Sequence, residues 1–196
     1  MGGIAFSAAE YIDLFGLIDA AHPADQQLVE MWADDVDGAV LDAGCGPGHW
    51  AALIAQRGRS VTGVDQVPEF IVHARRKAPG LDFRIGSLAA LDLPAESLGG
   101  VLAWYSLIHF SPEEIQEPLT EFARVLRPGG SLLIGFFEGP VIDAFDHAVV
   151  TAYRWPTHAL EEQLRGAGFE TTETRVRSTK AQRSQAAIIA QRESAR

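Results

Sequence analysis

Apolar residues fall on two different spacings along this chain, and the change from one to the other predicts its architecture. Over the first 38 residues they recur at helical intervals. Ser7-Ala-Ala-Glu10 reads as a capping box, the serine side chain accepting a main-chain N–H and the glutamate reaching back. Leu14, Leu17 and Ile18 follow as an apolar stripe, and Pro23 suits the first turn of a second helix carrying Leu28, Met31 and Trp32. These helices need a partner surface on which Leu14, Ile18, Leu28 and Trp32 are buried. From Ala39 onward, short apolar runs at 39–42, 60–64, 81–85, 100–105 and 131–137 read as strands. Between them lie helical segments at 50–56, closed by Gly58, and 68–77, stopped by Pro79-Gly80. A third helix opens at Ser111-Pro-Glu-Glu114, carries Ile115, Leu119, Phe122 and Leu126 on one face, and ends at Arg127-Pro-Gly-Gly130. Such alternation predicts an α/β fold, a doubly wound and mostly parallel sheet with helices on both faces. The stretch 138–153 shows no clear period. Residues 157–165 read as a last helix, capped by Gly166-Ala-Gly168, and 169–177 with 185–191 as two strands pairing antiparallel at a sheet edge.

Composition narrows the partners. A chain of 196 residues is one domain and buries enough surface to need no disulfide or metal staple. Its formal net charge of −10 repels phosphate backbones and anionic headgroups, which argues against nucleic acid or membrane as the main partner. Cys45 alone supports neither an internal disulfide nor a multi-thiolate zinc site and suits a reducing compartment. The start has no cationic leader, and runs such as 101–107 are too short to cross a bilayer. The expectation is a soluble, cytoplasmic, single domain.

The sharpest chemical signal is Val40-Leu-Asp-Ala-Gly-Cys-Gly-Pro-Gly48, a strand entering a glycine-rich turn that opens a helix. Glycines there permit a sharp turn and close approach of a ligand to the main chain, and the helix N-terminus favours a negative group. Asp65 ends the next strand, 21 positions after Gly44, where a carboxylate can accept both hydroxyls of a ribose. The plainer alternative is a tight strand-to-helix turn with no ligand. The conjunction of strand, loop, helix, second strand and terminal acid favours the ligand.

The segments LDAGCGPG, VTGVDQ and FARVLRPGGSLLIGFF resemble the motifs of class I S-adenosylmethionine-dependent methyltransferases over residues 39–137, and LEEQLRGAGF of 160–169 is similar too. The resemblance implies a Rossmann-like seven-stranded sheet, six strands parallel and the last antiparallel, with S-adenosylmethionine across the carboxyl ends and S-adenosylhomocysteine as product. It implies three parts: a helical cap or lid (1–38), a cofactor-binding core (39–137), and an acceptor-side loop, last helix and hairpin (138–196). By position, Gly44, Cys45, Gly46, His49 and Trp50 then lie along the methionine moiety, with Asp42 organising the loop. Asp65 holds the ribose, and Gln66 and Val67 flank the adenine. Ser87 stands where many relatives carry an aspartate toward the adenine amino group, so that contact passes to the backbone N–H of Leu88. Ala103 and Trp104 sit where carbonyls meet the methionine ammonium, and Tyr11 where an aromatic covers the cofactor carboxylate.

Methyl transfer is an in-line displacement whose thioether leaves without protonation, so positioning and water exclusion dominate and a base is needed only for an acceptor that must lose a proton. His109 is the candidate base, set against a histidine that merely packs near the cofactor. Tyr105 either orients the acceptor or covers the sulfonium. Glu138, Tyr153, Arg154 and His158 are acceptor-side candidates, set against an aromatic plug around Trp155 and a surface arginine. Arg175, Arg177, Lys180 and Arg183 read as a solvated hairpin, or as an anion-binding rim. No Asn/Asp-Pro-Pro-aromatic sequence follows the fourth strand, no Asp-Asn pair the fifth, and no cysteine pair exists. DNA amino-methylation, a magnesium catechol site and covalent pyrimidine chemistry therefore lack their residues, and no metal site is expected. Transfer to a small-molecule acceptor leads. The alternatives are a catalytically silent cofactor-binding partner and a nicotinamide-dependent oxidoreductase, against which Gly48 falls one residue early. Acceptor identity, the atom methylated and the oligomeric state are not encoded in these motifs.

Overall fold

The computed structural model describes residues 7–147, 151–179 and 182–194, with the side chains of 15, 179, 182 and 183 also outside the description. Lys180 and the side chain of Arg183, two members of the basic run, lie outside the described residues. Among the described residues, helices α1 (Ala8–Phe15), α2 (Pro23–Asp35), α3 (His49–Gln56), α4 (Pro68–Lys77), α5 (Gln116–Val125) and α6 (Thr157–Gly166) accompany nine strands. These are β1 (Val40–Ala43), β2 (Val61–Asp65), β3 (Asp82–Ile85), β4 (Leu98–Trp104), β5 (Leu126–Glu138), β6 (Asp143–Asp146), β7 (Thr151–Trp155), β8 (Phe169–Thr179) and β9 (Gln182–Arg192).

The main sheet runs β3-β2-β1-β4-β5-β9-β8. The first five strands are parallel, β9 is antiparallel to β5, and β8 is antiparallel to β9 and hence parallel to the rest. That is the expected seven-stranded sheet with one reversed strand. Side chains alternate between its faces, as period 2 requires. Leu41, Ala43, Val101, Ala103, Leu132 and Ile134 pack toward Leu119 and Phe122 of α5 and Leu160 of α6. Val40, Leu102 and Leu133 pack toward Trp32 of α2, Ile54 of α3 and Ile71 of α4. Trp32 lies close enough to β4 that a Cβ at Gly100 would come within 3.1 Å of its ring, and its indole N–H donates to Ser131 Oγ at 2.8 Å.

Three expectations needed correction. The stripe Leu14, Leu17, Ile18 is not one buried face: α1 ends at Gly16 and the chain turns into a short 3-10 segment at Ile18–Ala20. Leu14 and Leu17 are therefore 51% and 61% exposed, and only Ile18 packs inward. The capping box at Ser111 does not open α5. Glu114 does accept from the Ser111 N–H at 3.1 Å, but residues 112–115 stay in turns and the helix starts at Gln116. Pro118 explains this: it donates no N–H, and its ring crowds the carbonyl of Glu114. Finally, part of the unassigned stretch forms a β6–β7 hairpin. It extends the sheet beyond the end of β4, with Phe137 opposite Arg154 and Glu138 opposite Trp155.

Candidate functional site

The chain leaves β1 toward α3 on one face of the sheet and leaves β4 toward α5 on the other, which opens a crevice at the carboxyl ends of β1 and β4. A cavity of about 620 Å³ occupies it. Its floor is the glycine loop, Gly44 to Pro47, with His49 and Trp50 of α3; Trp104, Tyr105, Phe137 and His147 form a wall, and Tyr11, Ala20, Ala21, His22 and Asp25 approach from the N-terminal segment.

Each loop glycine has its own reason. Gly44, Gly46 and Gly48 all have positive φ, at 75°, 50° and 87°. A Cβ on Gly44 would collide with Ser106 Cβ at 2.3 Å, and one on Gly48 with Ala74 and Phe83 at 2.8 and 2.9 Å. A Cβ on Gly46 would meet nothing within 4 Å, because it would enter open cavity space. The first and third glycines thus serve packing, and the second leaves room for a ligand. Cys45 is buried and packs beside Gly63, its thiol pushed well up by burial, so it is a packing residue.

Two acids lie beneath the loop, and one of them holds it. Asp65 accepts from the Gly46 N–H at 2.9 Å through one oxygen and from the Val67 N–H at 2.8 Å through the other. Burial raises its carboxyl above the usual range, while those bonds and the nearby His109 pull it down. Asp42, at the end of β1, is 1% exposed, and burial pushes its carboxyl up to about 7 against the pull of the Ala51 N–H. Burial lowers His49 to about 4, so its imidazole is neutral. Three buried polar atoms around this floor, Asp42 Oδ2, His49 Nδ1 and Ser106 Oγ, have no hydrogen-bond partner. Orphaned buried polar atoms are costly and call for a partner, a water, an ion or a ligand. Tyr105 is a non-glycine residue at φ 55°, a strained conformation of the kind that collects at functional sites. It is accommodated by a main-chain bond to the Gly135 carbonyl at 2.9 Å and by ring contacts to Trp104 and Phe137.

Of the candidates read from sequence, Tyr11, Gly44, Cys45, Gly46, His49, Trp50, Trp104 and Tyr105 line one cavity. Asp42, Asp65 and Val67 underlie the loop. Gln66 lies between Asp65 and Val67, Ser87 Oγ accepts from Ala89 N–H at 3.2 Å, and the side chains of Leu88 and Ala103 are buried in the core. His109 does not border the cavity. Its Nδ1 is 3.0 Å from the Thr151 carbonyl, to which it donates, and its ring lies 5.9 Å behind that of His147. The acceptor-side group does not converge. Arg154 is committed to the β6–β7 hairpin, 2.5 Å from Asp143 and 4.3 Å over the Phe145 ring; Glu138 and Tyr153 are half-buried away from the wall, and His158 is exposed on α6. Conversely, His22, Asp25, Ser106, Phe137, His147 and Gln185 were not anticipated, and Arg177 only as part of a rim. The cross-strand register of Arg177 with Gln185 in the hairpin was the one local signal available. Among the described residues, no group of three or more His, Cys, Asp or Glu is gathered as a metal ion would need, and no helix is long and apolar enough to cross a membrane.

A doubly wound sheet with a glycine loop after β1, an acid closing β2 and a crevice above both defines the class of α/β domains that hold an extended adenosine-type cofactor. Within that class, residues 40–130 match the family described as a methyltransferase domain. A probable S-adenosylmethionine-dependent methyltransferase of Mycolicibacterium smegmatis is 36% identical over 142 residues, 69% of this chain and 53% of that protein. A demethylmenaquinone methyltransferase of Chlorobaculum parvum is 32% identical over 63% of this chain and 49% of its own length. The structure of a Burkholderia thailandensis 1,6-didemethyltoxoflavin-N1-methyltransferase, with 1,6-didemethyltoxoflavin and S-adenosylhomocysteine bound, superposes with a TM-score of 0.71 at 24% identity, covering 99% of this chain and 94% of that one. Residues 40–130 thus match a methyltransferase domain, and the sheet around them has the fold of the S-adenosylmethionine-dependent methyltransferases. The chain spans about half the length of the curated relatives it matches.

Proposed function

We propose that this chain binds S-adenosylmethionine on its glycine loop and transfers the methyl group to a small-molecule acceptor in the same cavity. One observation carries the reading: an open space over Gly46, with the Asp65 carboxylate and three unpartnered buried polar atoms gathered about the same loop, which suits a ligand bearing amino, carboxylate and ribose groups. Asp65 accepts from the Gly46, Val67 and Gln66 N–H groups and keeps the rest of its acceptor capacity for the ribose hydroxyls. Asp42 supplies negative charge beneath the ammonium, and Gln66, Val67, Ser87 and the Leu88 main chain border the adenine. The cofactor, when bound, supplies a methyl group on a sulfonium, a good leaving group that needs no acid.

The chain's own work is positional. Trp104, Tyr105 and Phe137 exclude water and hold the acceptor in line, and Tyr11 with residues 7–38 caps the cavity. His109 lies behind His147 and does not border the cavity, with its Nδ1 engaged by Thr151, so the reading assigns it packing behind the wall and not proton transfer. The reading places the protein in the cytoplasm. Incubation with methyl-labelled cofactor and a panel of hydroxyl, amine and thiol acceptors tests it. Label transferred to at least one acceptor is expected. Saturable cofactor binding with no transfer to any acceptor would favour the silent partner instead.

A further inference from the structure

The cavity wall opposite the glycine loop is a run of aromatic rings, Trp104, Tyr105 and Phe137, with centroids 5.6 and 4.9 Å apart. One charged cluster is set into its edge. Arg177 Nη1 donates to Asp25 Oδ1 at 2.7 Å and to His22 Nδ1 at 2.9 Å; Nη2 donates to Asp25 Oδ2 at 2.9 Å and to Gln185 Oε1. All four residues border the cavity. His22 Nδ1 also accepts from the Ala24 N–H at 3.1 Å, so that ring carries its proton on Nε2.

The cluster is asymmetric in what it offers a ligand. All four η hydrogens of Arg177 already have protein acceptors, so its fork cannot clamp a carboxylate or phosphate without first releasing Asp25. Asp25 has capacity to spare. Each of its oxygens takes one guanidinium hydrogen and keeps a further lone pair; burial holds the Tyr105 hydroxyl protonated, with the Asp25 charge adding to that and Arg177 opposing it. Arg177 is then the positioning residue that fixes this carboxylate at the end of an aromatic wall.

We infer that this wall selects the acceptor: a flat, conjugated molecule that packs face-on against one ring of the Trp104, Tyr105 and Phe137 wall and edge-on against its neighbours, and donates a hydroxyl or N–H hydrogen to Asp25, with carboxylates and phosphates disfavoured. The inference rests on the proposed reading of the cavity as a methyl-transfer site and names its substrate class.

Three probes on one naphthalene frame test it: 2-naphthol, 2-methoxynaphthalene, which lacks the donor, and 2-naphthoate, which is anionic. Each is titrated calorimetrically into the full chain saturated with S-adenosylhomocysteine. The naphthol is expected to bind at least tenfold more tightly than either of the others. Asp25→Ala frees two guanidinium hydrogens, so the order should invert, with naphthoate tightest. Asp25→Asn keeps an oxygen acceptor without the charge and should retain a reduced naphthol preference, which carries the test if the alanine variant fails to fold. Naphthoate binding as well as naphthol to the parent, equal binding of the methoxy compound, no binding of any probe, or an order unchanged in both variants would each overturn it. Because the readout is binding, a chain that ranks the probes this way yet transfers no methyl group loses the proposed activity and keeps the selectivity. A chain that transfers methyl groups but prefers naphthoate does the reverse.

Discussion

Raising the pH from 6 to 8 should tighten S-adenosylmethionine binding, because the buried Asp42 carboxyl sits near neutrality beside the position proposed for a cationic ligand. Burial raises Asp42 to about 7 in the free protein, so most of the population is protonated at pH 6 and ionised at pH 8. The sulfonium and ammonium charges favour the ionised carboxylate, and binding at low pH must expel the proton. If Asp42 is fully ionised in the complex, the affinity ratio between pH 8 and pH 6 is about tenfold. The proton released per ligand falls from about 0.9 at pH 6 to about 0.5 at pH 7 and about 0.1 at pH 8. Calorimetry in paired buffers of different ionisation enthalpy measures that release directly. The free protein should show the matching stability trend. Its native state holds the Asp42 proton more tightly than the unfolded chain, so this contribution is complete below about pH 4 and is lost as pH rises through 7. Three pKa units amount to roughly 4 kcal/mol at most. Asp42→Asn removes the titration, so any slope it retains belongs to the ligand or to other groups. A parent affinity and proton release flat from pH 6 to 8, or the same slope in Asp42→Asn, would refute the reasoning.

Other consequences follow from the same geometry. Asp65→Ala should weaken S-adenosylhomocysteine binding by about a hundredfold or more, since two charge-assisted bonds to ribose hydroxyls contribute roughly 1.5–3 kcal/mol each; an unchanged calorimetric affinity would remove Asp65 from the site. Gly48→Ala should destabilise the fold by about 2–4 kcal/mol, the left-handed penalty adding to overpacking against Ala74 and Phe83. Gly46→Ala faces open space and should cost only the backbone term, about 1–2 kcal/mol; equal losses in denaturant melts would contradict the division of roles. Hydrogen exchange should show added protection at 7–19 when cofactor binds, as a cap closing over the cavity requires. Protection confined to the glycine loop and Asp65 would leave Tyr11 outside binding.

Much of this was written locally in the chain. The glycine loop, the acid closing β2 and the Pro68–Lys77 helix depend on residues adjacent in sequence, so their pattern alone located them. The Ser7–Glu10 capping box is likewise a short-range device, and both of its bonds are present. What escaped depends on distance. Asp25 and Arg177 are separated by 152 positions and meet only because the N-terminal segment and the terminal hairpin close over the same cavity. The β6–β7 hairpin has a polar Asp143–Arg154 pair where alternation would need apolar residues, and Arg154 is consumed inside it. Periodicity also assumed one unbroken helix through Leu14, Leu17 and Ile18, whereas Gly16 ends it and turns the first two side chains outward.

The most direct test of cofactor binding on the glycine loop is calorimetric titration of the full chain with S-adenosylhomocysteine, with Gly46→Val alongside. The parent should bind one equivalent saturably, and the variant should keep its fold by circular dichroism while losing measurable binding, because a branched side chain would fill the space left open over Gly46. No binding to the parent, an equal affinity in a folded Gly46→Val, or saturable binding of NAD in its place would contradict it.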